Sequence, residues 1–130
     1  MSGAGQGYSG AAAPRRAAKT EVWLWIAQRA SAALLAVCVL VHLFTIIYAV
    51  RHGLSAEAIL GRTRGNAAGL TFYVVYVLAI AVHAPIGLRT LCQEWLGWRS
   101  ASLNWFAAAL ALALFGFGLR AAWAVFVAPV

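Results

Sequence analysis

Acidic side chains are what this chain has least of. Its carboxylates are Glu21, Glu57 and Glu94, three in 130 residues, which leaves almost nothing for paired acid–base catalysis and argues against a self-contained hydrolase. Cysteine is nearly as scarce. Cys38 and Cys92 cannot by themselves hold an iron–sulfur cluster or build a disulfide framework, and both lie in or beside apolar stretches, where an inert buried thiol is the ordinary reading. No Gly-rich nucleotide-binding motif occurs, nor any repeat of solenoid type. Charge of either sign is thin: 10% of residues, against roughly a quarter in a soluble domain. What fills the chain instead is apolar, 64% of residues at a mean hydropathy of +0.83. That composition belongs in a bilayer.

Ten Lys and Arg against three acids give a net charge of +7. The basic residues flank greasy segments and so act as topology signals, which argues against nucleic acid as a partner and for membrane lipid. Met1 to Ala18 is Gly, Ala and Ser with Pro14, Arg15 and Arg16, a composition expected to stay mobile. The stretch behind it contains Arg29, is too long for a signal-peptide core and has no cleavage site. The expected organisation is a flexible cytoplasmic tail over residues 1–21 and a three-helix transmembrane anchor over 22–130.

Three segments suffice to cross a hydrocarbon layer, which takes about 20 residues: about 22–50, 67–90 and 103–128. Between the first two lies a polar loop, Arg51 to Asn66. Between the second and third lies a short polar turn with Arg89, Gln93, Glu94, Arg99 and Ser100. Arg15, Arg16, Lys19, Arg29, Arg89 and Arg99 fall on one side; Arg51, Arg62, Arg64 and Arg120 fall on the other. The excess predicts a cytoplasmic N-terminus, with Trp23, Trp25, Trp95, Trp98 and Trp105 at the same boundary. The fold class predicted is an all-α, multi-pass membrane protein of three transmembrane helices, part of a larger helical bundle.

A histidine inside a span is costly and reads as functional by default. There are two. On the first span Gln28, Ser31, Leu35, Cys38, His42 and Thr45 recur every three or four residues and form one stripe. On the second, Phe72, Tyr76, Ala79, His83, Gly87 and Thr90 form another. Ala79 and Gly87, a turn to either side of His83, leave a gap that suits a tetrapyrrole plane beside an axial imidazole. Equally, small residues permit close helix packing with His83 hydrogen-bonded across the interface. Spacing alone leaves both readings open. At 1.5 Å per residue, His42 and His83 differ in depth by roughly 10 Å, so one iron cannot take both, and a second subunit would have to supply further imidazoles. Arg29 and Arg89 either snorkel to the interface or pair with a propionate or a quinone carbonyl.

Gln28-Arg29-Ala30-Ser31-Ala32, followed by His83-Ala84-Pro85-Ile86-Gly87-Leu88-Arg89, resembles the membrane-anchor cytochrome b subunits of succinate dehydrogenase and fumarate reductase over about 80 residues, Trp23 to Trp98. The resemblance implies that His83 is an axial ligand of haem b, that Gly87 gives the porphyrin the clearance the spacing of Ala79 and Gly87 already suggests, and that Arg89 pairs with a propionate. It implies quinone contacts from Arg29 and Ser31, and from Trp95, which stands behind Glu94 where the small anchor often carries a quinone-binding tyrosine. His42, in Val41-His42-Leu43-Phe44, resembles the first-helix histidine of two-haem anchors. One or two haems are therefore implied, with quinone as substrate. The implied partners are a flavoprotein subunit, an iron–sulfur subunit and a second anchor, either a copy of this chain or a different one. The bacterial inner membrane is the implied location. An anchor for another membrane dehydrogenase and a haem-free structural subunit are the alternative readings.

Overall fold

A computed structural model describes residues 12–128. Those residues fold into four helices: α1 (Ala12–His52), α2 (Ala56–Thr63), α3 (Ala67–Trp95) and α4 (Ala101–Val127). Three of them, α1, α3 and α4, are long and apolar enough to cross a membrane. In hydrocarbon a backbone must satisfy its own hydrogen bonds, and a continuous helix does so.

α1 starts at Ala12, inside the segment expected to be a tail. Pro14 falls in the first turn, where its missing N–H removes no intrahelical bond, and the Ala, Arg and Lys that follow are strong helix formers. At 41 residues this helix is about 60 Å long, twice a hydrocarbon core. Its basic first turns extend beyond any span. The rest of the expected tail, residues 1–11, lies outside the described residues.

Both connections differ from their sequence reading. The polar loop contains α2, whose first turn is capped by the Ser55 hydroxyl accepting from the Ala58 N–H at 3.1 Å. Asn66 then caps α3, its Oδ1 accepting from Gly69 N–H at 3.0 Å. At the other end α3 runs on to Trp95, so Arg89, Gln93 and Glu94 are helical rather than part of a turn. The turn itself is short. Gly97 takes φ +63°, the left-handed conformation that favours glycine, and the Trp98 N–H returns to the Cys92 carbonyl.

α3 is the centre of the arrangement, packed against α4 on one side and α1 on the other. Gly118 of α4 lets that helix come so close to α3 that a methyl there would meet Val77 at 2.7 Å. Cys38 and Cys92 are free thiols buried in these contacts. Elsewhere the apolar surface stays uncovered: Val37, Leu40 and Phe44 on α1 and Leu112, Phe117 and Trp123 on α4 are exposed. In a membrane such faces meet lipid or another subunit's helices.

Candidate functional site

The two polar stripes foreseen on the separate spans turn out to face each other. Gln28 lies over Gly87, where a Cβ would come within 3.0 Å of its amide nitrogen. One turn along, the Ser31 hydroxyl oxygen is 3.5 Å from His83 Nδ1. Further along, the His42 ring packs edge-on to Tyr73 and tilted to Tyr76, with centroids 6.0 and 5.8 Å away. Cys38 and Ala79, each 3% exposed, lie between these contacts along the antiparallel pair. The small residues flanking His83 thus admit α1 of the same chain. Ala79 turns nearly all of its surface to this packing, and the clearance at Gly87 is occupied by the end of the Gln28 side chain.

His83 itself is half-buried. One ring nitrogen approaches Ser31; the other has no hydrogen-bond partner among the described residues and is not sealed from the surface. An imidazole with an open nitrogen in an apolar helix is costly in lipid and calls for a group from outside the chain. The set of atoms therefore fits an axial haem ligand, one nitrogen held from within and the other free. His42 fits less well. Its Nδ1 is buried with no hydrogen-bond partner, whereas a metal-bound histidine ordinarily donates its second N–H to an oxygen. Between contacts to Ser31 on α1 and to Tyr73 on α3 the two histidines stand about 10–16 Å apart along the helices. Among the described residues no group of three metal-ligating side chains occurs.

A second cluster pins the three long helices together near the N-terminal end of α1. Arg89 donates to both oxygens of Glu21, at 2.7 and 3.3 Å, and through Nε to Asn104 Oδ1 at 2.9 Å. The Arg89 side chain is 12% exposed and that of Glu21 58%. Three of the five N–H donors of Arg89 are thus engaged, and two remain for another acceptor. Sequence reasoning singled out Arg89 but neither Glu21 nor Asn104. No periodicity links positions on three different helices.

The residues proposed for quinone do not converge. Ser31 is buried, at 7% exposure, and hydrogen-bonded to its own helix. Arg29 is exposed and lies over the Trp25 ring at 5.6 Å. Trp95, 81% exposed, stands at the end of α3. A cavity of about 540 Å3 forms instead at the opposite end of the helices, under α2. It is mostly apolar and includes His42, Tyr48, Arg62, Asn66, Tyr73 and Phe126 in its walls. Arg62 helps to close it, donating to the Gly53 carbonyl and lying over the Tyr48 ring.

Neither a curated protein nor a solved structure matches the chain. The family model for the succinate dehydrogenase/fumarate reductase transmembrane subunit does, over residues 12–119. The match takes in all of α1, α2 and α3 and most of α4, and with it the Ser31–His83 contact and the Arg89 cluster. With three bilayer-length helices and that match over most of its length, the chain belongs to the succinate dehydrogenase/fumarate reductase transmembrane-subunit family, as a membrane anchor.

Proposed function

We propose that this anchor binds haem b through His83 and serves a succinate:quinone oxidoreductase of the bacterial inner membrane. Succinate chemistry belongs to a separate flavoprotein, and electrons leave it through a separate iron–sulfur subunit. The chain's three scattered carboxylates and two buried cysteines are unsuited to either task. Its own part is docking, a water-poor setting and ligation. Trp95, Trp98 and the basic first turns of α1 supply the docking end, which the positive-inside pattern assigns to the cytoplasm. Arg29 and Trp95, exposed at that end, are the side chains available to a quinone there; Arg29 can donate to a carbonyl and the indole can stack.

The observation carrying the haem reading is the half-buried His83 imidazole, one nitrogen facing Ser31 Oγ and the other without a hydrogen-bond partner among the described residues, in a helix apolar enough to cross a membrane. Bound there, haem supplies a one-electron redox centre whose potential follows its ligands and burial. Arg89, with two N–H groups uncommitted, is the propionate partner. Any second protein ligand to that haem would have to come from a second anchor chain, a copy or a different protein, since His42 sits at another level.

Reduced-minus-oxidised spectra of the purified complex test the proposal. His83→Ala is expected to abolish the b-type band, and His42→Ala to leave it. A band untouched by His83→Ala overturns the haem assignment, and loss of half the band in each variant replaces one haem with two.

A further inference from the structure

We propose that Ser31 is a positioning residue for the haem ligand, holding His83 as the Nδ1–H tautomer so that the Nε2 lone pair faces outward to iron. This rests on the haem assignment above and assigns Ser31 a task other than quinone binding.

Ser31 is the buried polar residue among those described. Its hydroxyl carries one proton, and two carbonyl oxygens of its own helix compete for it: Ala27 at 2.6 Å and Gln28 at 3.1 Å. Carbonyls only accept, so that proton is directed into α1. Toward His83 Nδ1, 3.5 Å away, the oxygen has only lone pairs to offer. An unprotonated Nδ1 would set lone pair against lone pair beside a buried serine oxygen, so the contact favours Nδ1–H. The proton of a neutral imidazole cannot also sit on Nε2. Nε2 is thereby left basic and free.

Metal-bound imidazoles characteristically donate their other N–H to an oxygen, which fixes the ring and raises the basicity of the ligating nitrogen. The Ser31 oxygen stands 3.5 Å from His83 Nδ1, placed to accept such an N–H. His42 provides the internal contrast: its Nδ1 is buried with no hydrogen-bond partner among the described residues. Burial and the committed proton also make Ser31 a poor donor to a quinone, in contrast to exposed Arg29 nearby.

The test compares wild type, Ser31→Ala and Ser31→Thr in the purified complex, with His83→Ala as the reference for haem loss. Removing the acceptor is expected to weaken haem retention by about 10- to 100-fold. The ferric form gains more from a basic ligand, so the midpoint potential rises, by about 59 mV for each tenfold preferential loss of ferric binding. Thr keeps an oxygen that bonds to the carbonyl four residues back and is expected to restore the wild-type potential. Nitrogen-15 spectra of the histidine-labelled, ferrous complex should show the His83 Nδ1–H signal shifted in Ser31→Ala relative to wild type. The KM for quinone should stay at the wild-type value in Ser31→Ala.

The inference is overturned by a His83 Nδ1–H signal that is the same in wild type and Ser31→Ala, or by a Ser31→Ala potential equal to wild type. A raised KM for quinone with an unchanged potential overturns it in favour of a quinone contact. A b-type band that survives His83→Ala is the distinct result in which the haem assignment itself has failed.

Discussion

Two glycines on α4, two residues apart, offer a controlled measure of how closely that helix packs on α3. A methyl built on Gly118 would lie 2.7 and 2.8 Å from the two Cγ atoms of Val77 and 3.3 Å from its Cβ, whereas one on Gly116 meets nothing within 4 Å. Carbon atoms prefer about 3.5–4.0 Å, so the Gly118 contact is short by about 1 Å. Val77 cannot rotate away, because its branched Cβ is stiff in a helix and is itself part of the obstruction. Overpacking of this kind costs about 1–3 kcal/mol. Replacing glycine by alanine in a helix interior also gains up to about 1 kcal/mol, and this gain is common to both sites. Gly116→Ala is therefore expected to be neutral or stabilising by up to about 1 kcal/mol. Gly118→Ala should fall about 1–3 kcal/mol below it. The assay is unfolding of the purified protein in mixed micelles with increasing SDS, followed by tryptophan fluorescence, with both variants measured side by side. Adding Val77→Ala to Gly118→Ala should recover part of the deficit as a coupling of about 0.5–3 kcal/mol. Equal stabilities for the two single variants would refute the close α3–α4 approach.

The Arg89 cluster yields a graded expectation in the same assay. Glu21→Gln removes the charge of a carboxylate that is more than half exposed and should cost less than about 1 kcal/mol, shrinking further as salt is added. Arg89→Leu should cost more, because the guanidinium is mostly buried and also serves Asn104; equal losses would show that the Asn104 bond contributes nothing. His42→Leu replaces a ring with a buried, unpartnered nitrogen by an apolar side chain, and such exchanges are near neutral or stabilising. A loss above about 2 kcal/mol would reveal a partner for that nitrogen in the assembled complex.

The spans were legible because hydropathy is a sum over neighbours in sequence. The uncharged run from Ala67 to Leu88 reads as a crossing wherever it is met. The ends were less legible. Ala12 to Glu21 has a composition that suits either coil or helix, and α1 continues through it once a long apolar helix follows and removes the cost of nucleation. Ser55 and Asn66 are capping residue types, and their place in a polar segment was the available signal for a helix inside the expected loop. For the site, burial follows the first stripe along most of its length: Ser31 and Cys38 are buried, and Gln28, Leu35 and His42 are half-buried, while Thr45 is exposed. What they face was not readable. A row of small and polar residues at helical spacing describes a surface that wants close company and carries no label for the company it keeps.

Residue order alone therefore determined that this chain has three stretches long and apolar enough to cross a membrane, with His42 and His83 at different levels along two of them. Those properties depend on local sums and on the fixed rise of a helix. Only the packed structure decided that Ser31 meets His83, that Gln28 fills the space over Gly87 and that Glu21 and Asn104 close on Arg89. Each of those pairs joins residues on different helices, and the rotation and register that bring them together are set by how all the helices interlock, a quantity that no single helix's pattern contains.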